Sequence, residues 1–195
     1  MKTISKQLNA LLSTAVISTV SYAQSDEFKM FPIFTDDNFK ANIEVAAVAG
    51  FMDFDRSEID DRNVYGIELS FDCPVFTLPG NNPLRQQLSV NHSDKGGFEV
   101  TSIEMNPYYF VDVADDLVLG FGPGIGAVHG EPDGGKDQWL FAVQAGAGLK
   151  YYMDDFLIGA DLRYQWTAEK NFSNVGGQKE DLENMRLLLK AGYRF

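Results

Sequence analysis

From residue 39 to the end of the chain, apolar and polar residues alternate with a period of two, and few folds tolerate such a pattern. The last segment carries it most clearly. Met185, Leu187, Leu189, Ala191, Tyr193 and Phe195 fall on one side, and Asn184, Arg186, Leu188, Lys190, Gly192 and Arg194 on the other. Successive side chains of a strand point to opposite faces, so this segment has one apolar and one basic face. A helix would scatter those charges around its circumference.

The same design recurs upstream. Phe156, Ile158, Ala160, Leu162, Tyr164 and Trp166 oppose Gly159, Asp161, Arg163, Gln165 and Thr167, while Trp139 to Tyr151 opposes Ala142, Gln144, Gly146, Gly148 and Lys150. Leu117, Leu119, Phe121, Pro123, Ile125 and Ala127 face away from Gly120, Gly122, Gly124 and Gly126. Two earlier strands alternate Ile43 to Phe51 against Glu44, and Tyr65 to Cys73 against Glu68 and Asp72. The pattern gives eight strands, at 40–54, 63–76, 85–93, 98–113, 117–130, 139–153, 156–170 and 182–195, with a bulge expected near Ser102 where the phase slips. Tight turns at 113–116 and 154–155 contrast with the polar connections 55–62, 131–138 and 171–181. The segment 77–84, with Pro79-Gly80-Asn81-Asn82-Pro83, is longer than its place in that alternation calls for.

A soluble barrel would turn the apolar face inward, and the glycines decide against this. Gly120, Gly122, Gly124, Gly126, Gly146, Gly148 and Gly159 all lie on the polar face, where they leave space for Arg163, Arg186, Lys190 and Arg194 inside a narrow closed barrel. On a solvated surface such a row would weaken the strands without a packing gain. Tyr193, Phe195, Tyr151, Phe156 and Phe110 stand near the short-turn ends, and Trp139, Trp166, Tyr164 and Phe51 near the long loops, as two aromatic belts flanking an apolar band would. A bilayer permits no open sheet edge, so the first and last strands are expected to pair. The expected fold is all-β: a closed antiparallel eight-stranded transmembrane β-barrel over residues 39–195.

Residues 1–23 read as a secretory signal peptide. Lys2 and Lys6 precede the uncharged run Leu11 to Val20, and Ser21-Tyr22-Ala23 sets small residues for a cut before Gln24. The run is too short to span a membrane as a helix, which takes about 20 apolar residues. Residues 24–38 have no clear period and are expected outside the barrel or against its mouth. The net charge is −12, and loss of Lys2 and Lys6 leaves 14 bases against 28 acids, or −14. Phosphate contacts need clustered Lys and Arg, so a nucleic-acid partner is excluded. The lone Cys73 forms no internal disulfide and is expected to pack as a small apolar side chain; an exported chain of this kind suits a bacterial envelope.

The eight strands after a signal peptide, the strand Phe121-Gly122-Pro123-Gly124-Ile125-Gly126 and the ending Leu189-Lys190-Ala191-Gly192-Tyr193-Arg194-Phe195 together resemble the small Gram-negative outer-membrane β-barrels of the OmpA, OmpX and opacity-protein group. The resemblance implies the cell outer membrane as location, its lipid and lipopolysaccharide as surroundings, and Tyr193 and Phe195 as a signal to the outer-membrane assembly machinery. That group includes adhesins, structural barrels, narrow pores and a few enzymes, so it says little about activity.

Other motifs carry less. His92, Ser93 and Glu104 supply the residue types of a lipid A-modifying hydrolase, but adjacent strand residues point to opposite faces. Gly122 to Gly126 lacks the helix and spacing of a nucleotide loop. Asp53, Asp55, Glu58, Asp60 and Asp61 lack the spacing of a calcium loop, and His129 has no evident partner, so no metal or cofactor and no catalytic residue is assigned. The inward constellation is more informative: Glu44, Glu68, Asp72, Glu104 and Asp161 against Lys150, Arg163, Arg186, Lys190 and Arg194. Balanced charge out of bulk water reads as a salt-bridged network filling the lumen. The expected function is a structural or surface-interaction barrel with acidic extracellular loops and a possible external ligand; the alternative is a narrow ion or small-solute channel, and the lipid-modifying hydrolase stands third. If Phe195 completes the assembly signal, its deletion lowers the heat-modifiable folded protein in outer-membrane fractions, whereas Asp133→Asn in a loop leaves that yield unchanged.

Overall fold

The computed structural model describes residues 28–37, 39–55, 61–78, 84–173 and 179–195. The segment 1–23 expected to be a signal peptide, Glu58 and Asp60 of the acidic loop, and Pro79 to Pro83 lie outside the described residues. Eight antiparallel strands form a closed barrel: β1 (Glu44–Phe54), β2 (Arg62–Asp72), β3 (Leu84–Lys95), β4 (Phe98–Ala114), β5 (Leu117–Pro132), β6 (Gln138–Met153), β7 (Phe156–Thr167) and β8 (Asn184–Arg194). Each pairs with its sequence neighbour, and β8 closes on β1 from Asn184 opposite Phe54 to Arg194 opposite Glu44. Closure leaves no strand edge.

The alternation resolves as expected for a barrel immersed in hydrocarbon. Ile67, Phe121, Phe141, Leu162, Leu187 and Leu189 are exposed outside, while Glu68, Glu104, Lys150, Arg163 and Arg186 are buried inside. This is the reverse of a soluble protein, in which a large apolar surface would be hidden. The belts are visible at both ends. Phe156, Tyr193 and Phe195 stack edge to face at 5.2 and 5.1 Å beside the short turns, and Tyr164 and Trp166 meet at 4.7 Å near the loops.

Phe110 does not join its belt: it shares the inward parity of Asn106 and Tyr108, is buried, and lies under the Lys150 ammonium at 5.1 Å. The bulge also moves. Residues 100 to 110 keep one phase through Ser102, and the irregularity falls between Asp112 and Ala114. The apparent slip arises because outward Thr101 is polar; it sits toward the loops, where its hydroxyl meets His92 Nδ1 at 2.9 Å. Strand β1 begins at Glu44 rather than residue 40 because Asn42 takes a left-handed backbone (φ 45°), which breaks the extended run. In the middle of the β4–β5 ladder Pro107 and Pro123 stand opposite each other, between the pairs Met105–Ile125 and Tyr109–Phe121. Neither proline has an N–H to give.

The unusually long 77–84 connection has a partner. Its start, Phe76–Thr77, pairs antiparallel with Lys29–Met30, and Phe31 N–H donates to Val75 O, so the N-terminal extension is tied to the short-turn end of the barrel. A single helical turn, Pro32–Thr35, follows. Cys73 is buried, and among the described residues no helix is long and apolar enough to cross a membrane. The facing predicts that Leu187→Arg costs about 2 to 4 kcal/mol at mid-bilayer. Urea titration in lipid vesicles measures it, and Lys190→Gln, which adds no charge to the lipid face, serves as the comparison.

Candidate functional site

The interior is built in two layers. The layer from the short turns to mid-barrel is ionic. Glu44 accepts from Lys150 Nζ at 2.7 Å and from Tyr152 OH at 2.8 Å, and Arg85 lies 3.2 Å from it. Arg85 also bonds Asp72 at 2.9 Å and the Asn42 carbonyl at 2.6 Å. Deeper in, Arg163 reaches Asp161 at 2.7 Å, Glu68 at 3.0 Å and Glu104 at 3.3 Å. Lys190 lies 2.6 Å from both Glu68 and Asp161. Arg186 pairs with Glu104 and donates to Gln144 Oε1 at 2.8 Å and Gln165 Oε1 at 3.1 Å. Hydroxyls of Ser102 and Ser89 complete Glu104, at 2.6 and 3.3 Å.

The glycine wall is what admits these groups. A Cβ on Gly146 would strike the Tyr108 hydroxyl and lie 2.8 Å from Arg163 Cγ, one on Gly148 would strike the Asp161 carboxylate, and one on Gly159 would sit 3.4 Å from Lys150 Cγ. The space at Gly146 and Gly148 therefore serves Tyr108, Arg163 and Asp161; of the four bases expected to fill it only Arg163 is met there, and Arg186, Lys190 and Arg194 are not among the nearest neighbours of the glycines. Arg194 stands at the mouth, donating to the Asp154 carbonyl at 3.1 Å with its guanidinium 4.9 Å above the Tyr152 ring. Arg85 takes the place in the network that the sequence reading gave to Arg194. The alternation of Leu88 and Val90 outward with Gln87 and Ser89 inward already carried the parity that turns Arg85 inward. At this mouth a cleft of about 380 Å³ opens among Asn42, Glu44, Asp72, Arg85, Tyr152 and Arg194.

The second layer, toward the long loops, is apolar. Val48, Met52, Phe54, Val64, Val100, Val128, Leu140 and Leu188 pack with Phe172 and Leu182 into one buried cluster. Phe172 and Leu182 come from the β7–β8 connection, which folds over the mouth through backbone bonds between Lys170 and Glu180, and Phe172 meets Phe98 at 5.7 Å. Arg62 borders the cluster, its guanidinium 5.1 and 5.7 Å from the Phe54 and Phe98 rings. The salt-bridged network expected to fill the lumen thus shares it with a buried apolar cluster.

The hydrolase constellation is not assembled. Ser93 points inward and donates to the Asn63 carbonyl at 2.7 Å, His92 points outward against Tyr65, and Glu104 is held by the two arginines. Tyr193 donates to Asp155 at 3.1 Å, and Phe195 N–H to the Ile43 carbonyl at 2.8 Å, which fixes the chain end on the barrel rim.

This architecture is that of the eight-stranded outer-membrane β-barrels. Neisserial surface protein A shares it at 16% sequence identity and a TM-score of 0.59, over 78% of this chain and 97% of that one. A major outer membrane protein from Thermus thermophilus does so at 14% identity and a TM-score of 0.51, over 80% of this chain and all of that one. No family model matches the chain, and no curated protein matches its sequence.

Glu104 is the only carboxylate within ion-pair distance of Arg186 among the described residues. Glu104→Gln is therefore expected to cost about 3 to 5 kcal/mol by stranding a buried guanidinium, while Glu104→Leu with Arg186→Met recovers most of that loss. Urea midpoints of the folded form, read by heat-modifiable gel mobility, distinguish the two.

Proposed function

We propose that this chain is a structural or surface-interaction protein of the Gram-negative outer membrane, exported by a signal peptide cut before Gln24. The long loops face outward, and the lumen does not serve as a passage. The observation that carries this reading is the presence of two different seals in one bore, the ionic network around Glu104 and Arg163 and the apolar cluster that reaches the long-loop end at Phe54, Val100 and Phe172. The mainly apolar layer, with Arg62, Asn91, Ser93 and Asn184 as buried polar members, opposes ions, and the ionic layer opposes apolar solutes. Lumen residues paired to one another are occupied in holding the wall together, which favours a scaffold over a catalyst.

The loop rim supplies the surface for an external ligand. Asp53, Asp55, Asp61, Glu131, Asp133, Asp137 and Glu169 are exposed there, so a basic partner is the complementary class. The apolar band would contact outer-membrane lipid and lipopolysaccharide, and Tyr193 and Phe195 would present the terminal strand to the assembly machinery. The fold shared with a protein described as a surface protein is consistent with this role.

The second reading, a narrow ion channel, draws on the cleft at the short-turn mouth, which gives the ionic layer a route to water. Planar-bilayer conductance separates the two. Wild-type protein is expected to show at most small, intermittent currents. Lys190→Ser with Arg186→Ser loosens one seal, and Phe172→Ala with Leu182→Ala the other; because the seals act in series, a steady current is expected only when all four changes are combined. Large, steady conductance from wild-type protein would overturn the closed-lumen reading.

A further inference from the structure

The loop-side end of the β5–β6 hairpin holds side chains that neither the lumen nor the lipid band uses. His129 and Glu131 lie two residues apart on the outward face of β5, and Asp137 immediately precedes β6. The ladder here sets His129 opposite Trp139 and Gly130 opposite Gln138. One step further, the same register places Glu131 opposite Asp137. Like charges directly across a hairpin repel, and among the described residues neither carboxylate forms an ion pair. The ligand atoms of His129, Glu131 and Asp137 all lie within 4.8 Å of one another.

The backbone beneath them is held by three hydrogen bonds, one within the hairpin and two to its neighbours. Asp133 N–H donates to Gly97 O at 2.7 Å, Gly135 N–H to Pro132 O at 3.1 Å and Lys136 N–H to Phe172 O at 2.8 Å. The hairpin mouth is thus pinned to β3–β4 on one side and to the β7–β8 connection on the other. These bonds hold the backbone of the two acids close together.

We propose that His129, Glu131 and Asp137 form a binding site for a divalent transition-metal ion on the outer rim of the barrel. A cation between Glu131 and Asp137 converts their repulsion into shared ligation, and small rotations of these exposed side chains close the 4.8 Å spacing onto one ion. The donor set selects the class: one imidazole nitrogen with two carboxylates suits Zn²⁺, Cu²⁺ or Ni²⁺, whereas Ca²⁺ and Mg²⁺ favour oxygen ligands throughout. Three protein ligands leave a position open to water or to an oxygen donor of a surface partner. The site is independent of the lumen seals, so it stands whether or not the barrel conducts.

Trp139 provides the reporter, since its ring lies 4.8 Å from that of His129. With Trp166→Phe, Trp139 is the only tryptophan in the folded protein. Ni²⁺ added to this protein in detergent micelles is expected to quench its fluorescence saturably, with one ion per chain, and Zn²⁺ to reverse the quenching by competition. Calorimetric titration with ZnCl₂ checks the stoichiometry without relying on the ring contact. His129→Gln, and separately Glu131→Gln with Asp137→Asn, are expected to abolish the saturable binding while the heat-modifiable fold persists; Asp133→Asn, an acid on the same hairpin, is expected to leave binding intact. Quenching that rises without saturation in the parent, or calorimetric binding of ZnCl₂ that is unchanged by His129→Gln, would overturn the assignment. Loss of binding with Asp133→Asn would overturn it equally, since that places the ion elsewhere.

Discussion

The structure depends on the pairing of β8 with β1. In hydrocarbon each unpaired backbone N–H or C=O costs several kcal/mol, and a sheet with two free edges would expose a full strand's length of them on each side. Closing the ring removes that cost, and it also fixes which faces are left. The outside must then be apolar, because lipid touches it. The inside is sealed from lipid and narrow, and whatever stands there has to satisfy itself.

The two interior layers are different solutions to that requirement. In the ionic layer, carboxylates and bases pair with one another and Gln87, Gln144 and Gln165 accept from the arginines, while Arg163 Nε and Arg186 Nε stay buried without a hydrogen-bond partner among the described residues. The geometry is possible only because one wall lacks side chains. Gly146 and Gly148 give their volume to Tyr108, Arg163 and Asp161, which reach in from other strands. In the apolar layer no partner is needed, so ordinary close packing suffices, and the β7–β8 connection contributes two of its members. The barrel therefore changes character along its axis while its backbone remains regular.

How much of this was legible follows from which residues obey the period. The lipid face follows one rule through most of the strands from Ile43 to Phe195, with polar exceptions such as Thr101 near the loops, so strand number and facing could be read directly. The inward set was legible where charges mark it, and it blurred where Val48, Val64 and Leu188 occupy inward positions with side chains that look as if they belong outside. Those exceptions are the apolar layer, and its capping residues Phe172 and Leu182 lie in a connection with no period at all. Phe110 was misplaced because an aromatic near a strand end suits either face until parity is counted from Asn106. Arg85 was missed because its strand was the least regular, and the proximity of His129 to Asp137 depends on hairpin register, which composition does not carry.

The ionic layer also constrains the order in which the protein can be made. Lys190 reaches a carboxylate 122 residues earlier, Lys150 one 106 residues earlier, and Arg186 one 82 residues earlier. The contacts of Lys190 and Arg186 form only once the last strand is in place, and loop-closure entropy opposes all three until the ends of the sheet meet. The share supplied by Lys190 and Arg186 thus arrives late, when β8 docks, whereas the pairs of Arg85 and Arg163 use no residue of that strand. An arrested intermediate lacking its final strand would keep Arg163 on Glu68 and Asp161 but leave the seam between β7 and β1 open to water. Docking of β8 is therefore what dries the barrel.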